Sequence, residues 1–281
     1  MARWTIDQPT SLTFDGVVAL RIRLVSGSVA VLAGEAAPRL DVESVSGQPL
    51  LVTHDAGILT ITYEDMTWDG VLGWLRPQRH SATVTVTVPK DCPTELGIVN
   101  AAVVVSGMSA RTSVKSVSGG ITMDGVTGSI DANTVSGDVE AQDAGGEVAF
   151  KTVSGGLTIA GGSLARLDAK TVNGRIIADV DLAPAAVVQT ATVSGDVAVR
   201  LPASASARVD LRSASGRVET TFDGLDCRRK TGTTSVAGTL GTGDARLSAS
   251  TVSGTVTLLR RNPPAGQERP AVGTEKEGKR R

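Results

Sequence analysis

Between Val117 and Gly161 apolar and polar positions repeat every nine residues, as VSGGITMDG, VTGSIDANT, VSGDVEAQD, AGGEVAFKT and VSGGLTIAG, with no gap. Counted from the first residue of each phrase, position 1 is Val117, Val126, Val135, Ala144 and Val153. Position 5 is Ile121, Ile130, Val139, Val148 and Leu157, and position 7 is Met123, Ala132, Ala141, Phe150 and Ile159. Between the last two columns lie Thr122, Asp131, Glu140, Ala149 and Thr158, so the segment alternates as a half-buried strand does. Position 3 is always Gly (Gly119, Gly128, Gly137, Gly146, Gly155), which predicts a tight corner that uses positive φ.

The frame continues on both sides, through Val25-Ser26-Gly27, Val172-Asn173-Gly174, Val193-Ser194-Gly195 and Val252-Ser253-Gly254. The stronger phrase recurs at Val117, Val135, Val153 and Val172, with weaker corners between, so two nonapeptides make one unit of 18–21 residues. The expected fold is all-β, a parallel β-solenoid in which equivalent columns of successive coils stack. An antiparallel meander or sandwich also fits the alternation, but it needs a second layer over its apolar face. With the position-1 Val pointing inward, its neighbours point out and stack as a polar ladder. Its members are Thr134, Ser136, Thr152, Ser154, Thr171, Asn173, Thr192 and Ser194. Turn chemistry accounts for such hydroxyls, and a flat recognition face is the sharper reading.

Three stretches are distinguished. Residues 1–116 read as irregular β coils and an end cap of the same solenoid, 117–261 as the regular repeat, and 262–281 as a disordered tail rich in Pro, Gly and charge. Within the first, VALRIRLVSGSVAVL, GILTITYE and SATVTVTVP alternate as strands. EDMTWDGVLGWLRPQRH does not; Trp68, Val71, Leu72 and Leu75 fall at helical spacing, with Trp74 beside them. This segment is expected either to cover an open coil end or to contact a partner or a membrane interface.

Composition supports a narrow core. There are 32 Gly and only seven aromatic residues in 281, so small aliphatic side chains must fill it. A net charge of −1 gives no reason to expect nucleic acid as a partner. Residues 117–161 nevertheless carry one basic and six acidic side chains, and 201–281 carry 14 and eight, a gradient that head-to-tail contacts could use. Cys92 and Cys227 are solitary, which argues against a disulfide scaffold or a zinc site. MARWTIDQPT lacks the apolar stretch of a secretory signal, and no run long enough for a membrane span occurs. A cytoplasmic chain is therefore expected, with peripheral envelope association allowed.

Catalytic patterns are absent. The repeat carboxylates Asp124, Asp131, Asp138 and Asp143 drift between columns and build no stacked calcium cage. His54 and His80 sit in no nucleophile motif, and the Gly-rich corners precede no helix. No enzyme activity, cofactor or metal is expected.

The phrases TVSGDV, TVSGGL, TVNGRI and TVSGTV resemble those of a bacterial family of uncharacterised β-repeat domains labelled putative adhesins, over roughly residues 15–260. The resemblance implies β-repeat architecture and a binding role, and brings no catalytic residues. The first functional reading is a non-catalytic β-solenoid scaffold or binding protein of adhesin type, associated with the cell envelope. The alternative is a cytoplasmic protein that self-assembles or binds a regulatory protein partner.

Overall fold

The computed structural model describes residues 1–63, 80–230 and 232–261, and all regular structure in them is β. Seven strands precede the first full coil: β1 (Ala2–Ile6), β2 (Thr10–Thr13), β3 (Ala19–Ala33), β4 (Arg39–Ser46), β5 (Leu50–Asp55), β6 (Ile58–Tyr63) and β7 (Ser81–Val88). The coils use β8 (Thr94–Ser106), β9 (Thr112–Ser118), β10 (Ile121–Asp124), β11 (Ser129–Ser136), β12 (Val139–Gln142), β13 (Gly146–Ser154), β14 (Leu157–Asn173), β15 (Ile176–Ser194) and β16 (Val197–Pro202). Last come β17 (Ala207–Ser213), β18 (Val218–Thr220), β19 (Asp226–Lys230), β20 (Thr233–Leu240), β21 (Ala245–Ser253) and β22 (Val256–Arg261).

Pairing in the repeats is parallel, which selects the solenoid over the meander. Val139 pairs with Leu157, Leu157 with Ile176 and Ile176 with Val197, steps of 18, 19 and 21 residues. Each coil lays one strand on each of two faces, and the long strands β3, β8, β14 and β15 run through a corner and serve both. The first face is ordered β1, β5, β6, the starts of β3 and β8, β9, β11, β13, the ends of β14 and β15, β21, β17, β20, β19. The second is β2, β4, β7, the ends of β3 and β8, β10, β12, the starts of β14 and β15, β16, β22, β18. At both ends parallel stacking gives way to antiparallel pairs: β5 with β6 and β4 with β7 at one end, β17 with β20 and β20 with β19 at the other. The edge strand β19 reads DCRRK and is exposed throughout, a charged edge that resists further pairing.

The core between the faces is continuous from Ile6 to Leu258. It tolerates one large ring because ladder neighbours are small: Phe150, fully buried, pairs with Ala132 on one side and Ala169 on the other. Such alternation of large and small fills a narrow space at normal density.

Corner geometry corrects the inward Val. Along β11 the buried positions are Ile130, Ala132 and Thr134, while Val135 and Ser136 both face water before Val139 turns in again. A nine-residue repeat is odd, so a period of two must break once per phrase, and it breaks at Val-Ser-Gly. At the weaker corner the break falls elsewhere, and Val126 and Ala144 are buried.

The corner glycines are required by contact as well as by φ. A Cβ on Gly195 would lie 2.0 Å from the Gly174 carbonyl oxygen, one on Gly254 2.1 Å from that of Gly195, and one on Gly174 1.9 Å from that of Gly155. Gly174 does not adopt a left-handed φ, so close approach of the preceding coil alone excludes a side chain there.

Candidate functional site

The Val-Ser-Gly corner is the feature repeated most faithfully, and the ladder registers stack it. Thr134 pairs with Thr152, Thr152 with Thr171, Thr171 with Thr192, and Thr192 with Thr251. Ser136, Ser154, Asn173, Ser194 and Ser253 stack in the same order. The expected two hydroxyl rows are therefore in register, but only one faces out.

Thr134, Thr152, Thr171, Thr192 and Thr251 are buried, so they leave the proposed recognition face. Three of them instead donate to the corner glycine of the preceding coil: Thr171 Oγ1 to Gly155 O at 3.4 Å, Thr192 Oγ1 to Gly174 O at 3.3 Å and Thr251 Oγ1 to Gly195 O at 3.0 Å. Ser213 repeats the contact to Gly254 O at 2.8 Å and Thr234 to Gly216 O at 3.2 Å. A β-branched side chain fits the strand, and its hydroxyl ties adjacent coils together.

Between the rows, Val135, Val153, Val172, Val193 and Val252 stand 48–53% exposed. The corner thus presents an aliphatic row beside a row of Ser and Asn, with a third row, Lys115, Asn133, Lys151 and Lys170, on the first face. On the other side Asp138 and Asp196 are engaged structurally: Asp138 Oδ1 accepts from Gly156 N at 2.6 Å and Asp196 Oδ1 from Thr255 N at 2.9 Å. These carboxylates cap backbone groups of the next coil.

A second charged feature lies towards the C-terminal end of the first face. Arg166, Val187, Arg246 and Arg208 occupy one row of adjacent strands. Asp168 and Asp210, in the next row, pair with Lys170 at 2.8 Å and with Arg212. Arg208 and Arg246 lie far apart in sequence, so only the register brings them side by side. On the second face Asp179 bonds Arg200 and Arg261, and Arg261 also bonds Asp181. The hydrogen bond from Arg200, reinforced by both positive charges, holds the Asp179 carboxyl below its ordinary range.

Trp68, Val71, Leu72, Trp74 and Leu75 fall outside the described residues. His80 Nδ1 accepts from Gln48 N at 3.0 Å. Cys92 is buried, and burial followed by the Asp91 charge pushes its thiol up to about 11, so it is a poor nucleophile. Among the described residues no three His, Cys, Asp or Glu side chains converge as metal ligands, and no helix is long and apolar enough to cross a membrane.

Fold and corner together define a two-faced parallel β-solenoid with a Thr-Val-Ser-Gly corner. The chain belongs to the family described as Toastrack DUF4097, whose model matches residues 19–259. No curated protein matches it. Among solved structures it is similar to a putative cell adhesion protein from Clostridium sporogenes, at 12% identity over 90% of this chain and 100% of that one, with a TM-score of 0.26. A putative adhesin from Parabacteroides merdae matches at 13% identity over 91% and 96%, TM-score 0.26. A putative lipid binding protein from Parabacteroides distasonis matches at 12% over 91% and 97%, TM-score 0.23.

Proposed function

We propose that the protein is a non-catalytic binding scaffold of the cell envelope whose contact surface is the Val-Ser corner. The observation that carries this reading is the unbroken row Val135, Val153, Val172, Val193 and Val252, each about half in water, whereas the other exposed branched aliphatic side chains among the described residues, Val18, Leu32, Val104 and Ile177, form no such row. Covering the exposed half of each Val would gain about 1 kcal/mol. That sum alone does not repay association, so a partner must also engage the Ser and Asn row or the adjoining lysines Lys115, Lys151 and Lys170. Rigidity of the stacked corner keeps the ordering cost low.

The test is co-sedimentation of the purified protein with an isolated envelope fraction. The expected result is that wild-type protein pellets, whereas Val153→Lys with Val193→Lys binds about tenfold less, a loss near 1.4 kcal/mol, with an unchanged urea midpoint. Undiminished pelleting of the double variant removes the corner as the contact surface. Wild-type protein that stays in the supernatant removes the envelope reading.

A further inference from the structure

Chain order and spatial order part company at the C-terminal end. After β16 the chain does not add the next coil beside it. It goes one layer further out, lays down β17 and β18, adds the antiparallel strands β19 and β20, and then returns to fill the omitted layer. There β21 pairs with β15 on one side and β17 on the other, and β22 pairs with β16 and β18. Among the described residues, β17 to β20 are hydrogen-bonded as strands to the rest of the solenoid only through β21 and β22.

Residues 245–261 are thus an insert with an open slot behind them. Without it, four strand edges would be bare, those of β15, β16, β17 and β18, and unpaired strand edges recruit strands. The insert is also made after both walls of the slot have been synthesised. It buries Leu247, Ala249, Val256 and Leu258, and each of these contacts would be identical if the filling segment came from another copy.

The connection permits that exchange. β20 and β21 flank β17 from opposite sides, so the link from Leu240 to Ala245 crosses the start of β17 in four residues, Gly241 to Asp244. Gly241 and Gly243 have φ of 55° and 79°, values cheap only for glycine. Ser206 Oγ accepts from Thr242 N at 3.1 Å, Gly243 N at 2.9 Å and Asp244 N at 3.3 Å, and two backbone bonds, Gly243 N to Leu240 O and Ala245 N to Ser206 O, each 3.1 Å, complete the crossing. Arg261, on Asp179 and Asp181, closes the far end.

From this topology we infer that residues 245–261 exchange between copies of this chain, so that the slot between β15–β16 and β17–β18 accepts β21–β22 of a second copy. Mutual exchange closes a two-fold dimer, and one-way exchange propagates a filament. The occupant is fixed by the register, because the slot needs the inward pattern Leu247, Ala249, Thr251 on one face and Val256, Leu258 on the other. This inference does not depend on the Val-Ser corner as a binding surface.

The test uses Ala191 and Ser250, which lie opposite each other on β15 and β21, in a Cys227→Ser background that removes the exposed thiol. Full-length A191C and S250C chains are mixed at high concentration, held in mild urea, returned to buffer, oxidised and analysed by size exclusion and by mass. The expected outcome is a dimer fraction that rises with concentration and contains a disulfide between one A191C chain and one S250C chain. Ser206→Ala should speed its appearance by about threefold to tenfold. Absence of any dimer overturns the inference. So does a dimer whose disulfide yield is no higher than in chains mixed without the urea step, since its contact would then lie on another surface.

Discussion

The coils from 117 to 200 and the segment from 201 to 261 are built from the same phrases, yet they differ in what each layer holds together. In the first region every coil lies beside the one that precedes it in sequence, as Val139 beside Ile121 and Leu157 beside Val139. Losing a contact there weakens two adjacent coils that the chain also links. In the second region the last coil sits between strands laid down some forty and sixty residues earlier, with Leu247 beside Val188 and Val209. A repeat solenoid is close to a one-dimensional stack of nearest-neighbour interfaces, but here one layer carries the attachment of everything beyond it.

The largest effect that tests this contrast comes from two leucines in one inward row. Leu167 and Leu247 flank Val188 on either side and both are fully buried. Truncation of each to Ala should cost about 2–5 kcal/mol, so urea midpoints should fall comparably. Amide hydrogen exchange should separate them. Leu247→Ala should release β17, β18, β19 and β20 as one unit, with β9 to β13 still protected, whereas Leu167→Ala should lower protection in its own and adjacent coils. Equal spread of lost protection from both sites would show that the insert has no special role.

The repeat unit, the parallel register and the 18- to 21-residue coil were legible in the sequence because columns 5 and 7 are apolar and odd spacing forces corners at fixed places. The direction of the corner residues was not legible. Alternation extended through Gly137 places Val135 inward, and only the broken parity of the turn shows that Thr134 takes that position. Order along the solenoid was hidden as well. Nothing in TVSGTV says that Thr251 stacks on Thr192 rather than on Ser213 alone, since TVSG at 192–195 and SASG at 213–216 both offer a hydroxyl followed by a Ser-Gly corner. Rows such as Arg166, Arg246 and Arg208 follow from that order and could not be read from the chain.

The buried threonines give a smaller test of the same comparison. Thr251 Oγ1 reaches the Gly195 carbonyl at 3.0 Å, whereas Thr134 Oγ1 and Thr152 Oγ1 are buried without a partner. Replacement by Val keeps the shape and removes the hydroxyl. Thr251→Val should cost about 1 kcal/mol, and Thr152→Val should be neutral or stabilising, because it removes an unsatisfied polar atom from the core. Urea denaturation of the two variants measures this directly, and an equal cost at both positions would mean that the inter-coil hydroxyl contact contributes nothing to the last layer.

The smallest effect concerns the ion pairs at the edge of the insert. Asp179, hydrogen-bonded by Arg200 and Arg261, has its carboxyl held below the value of 3.8 expected in the unfolded chain. A depressed carboxylate contributes stability that is present above the unfolded value and is lost as pH falls through the folded one. Arg261→Ala should therefore cost about 0.5–1 kcal/mol at pH 7 in low salt, less at high ionic strength, and progressively less as pH drops below 3.8. Lys170→Ala breaks a pair with Asp168 that lies within one strand of the regular coils, where no separate segment is clasped. Its removal should change the urea midpoint little at any pH. A cost for Arg261→Ala that persists unchanged in acid would assign its contribution to packing of the side chain against the insert rather than to its charge.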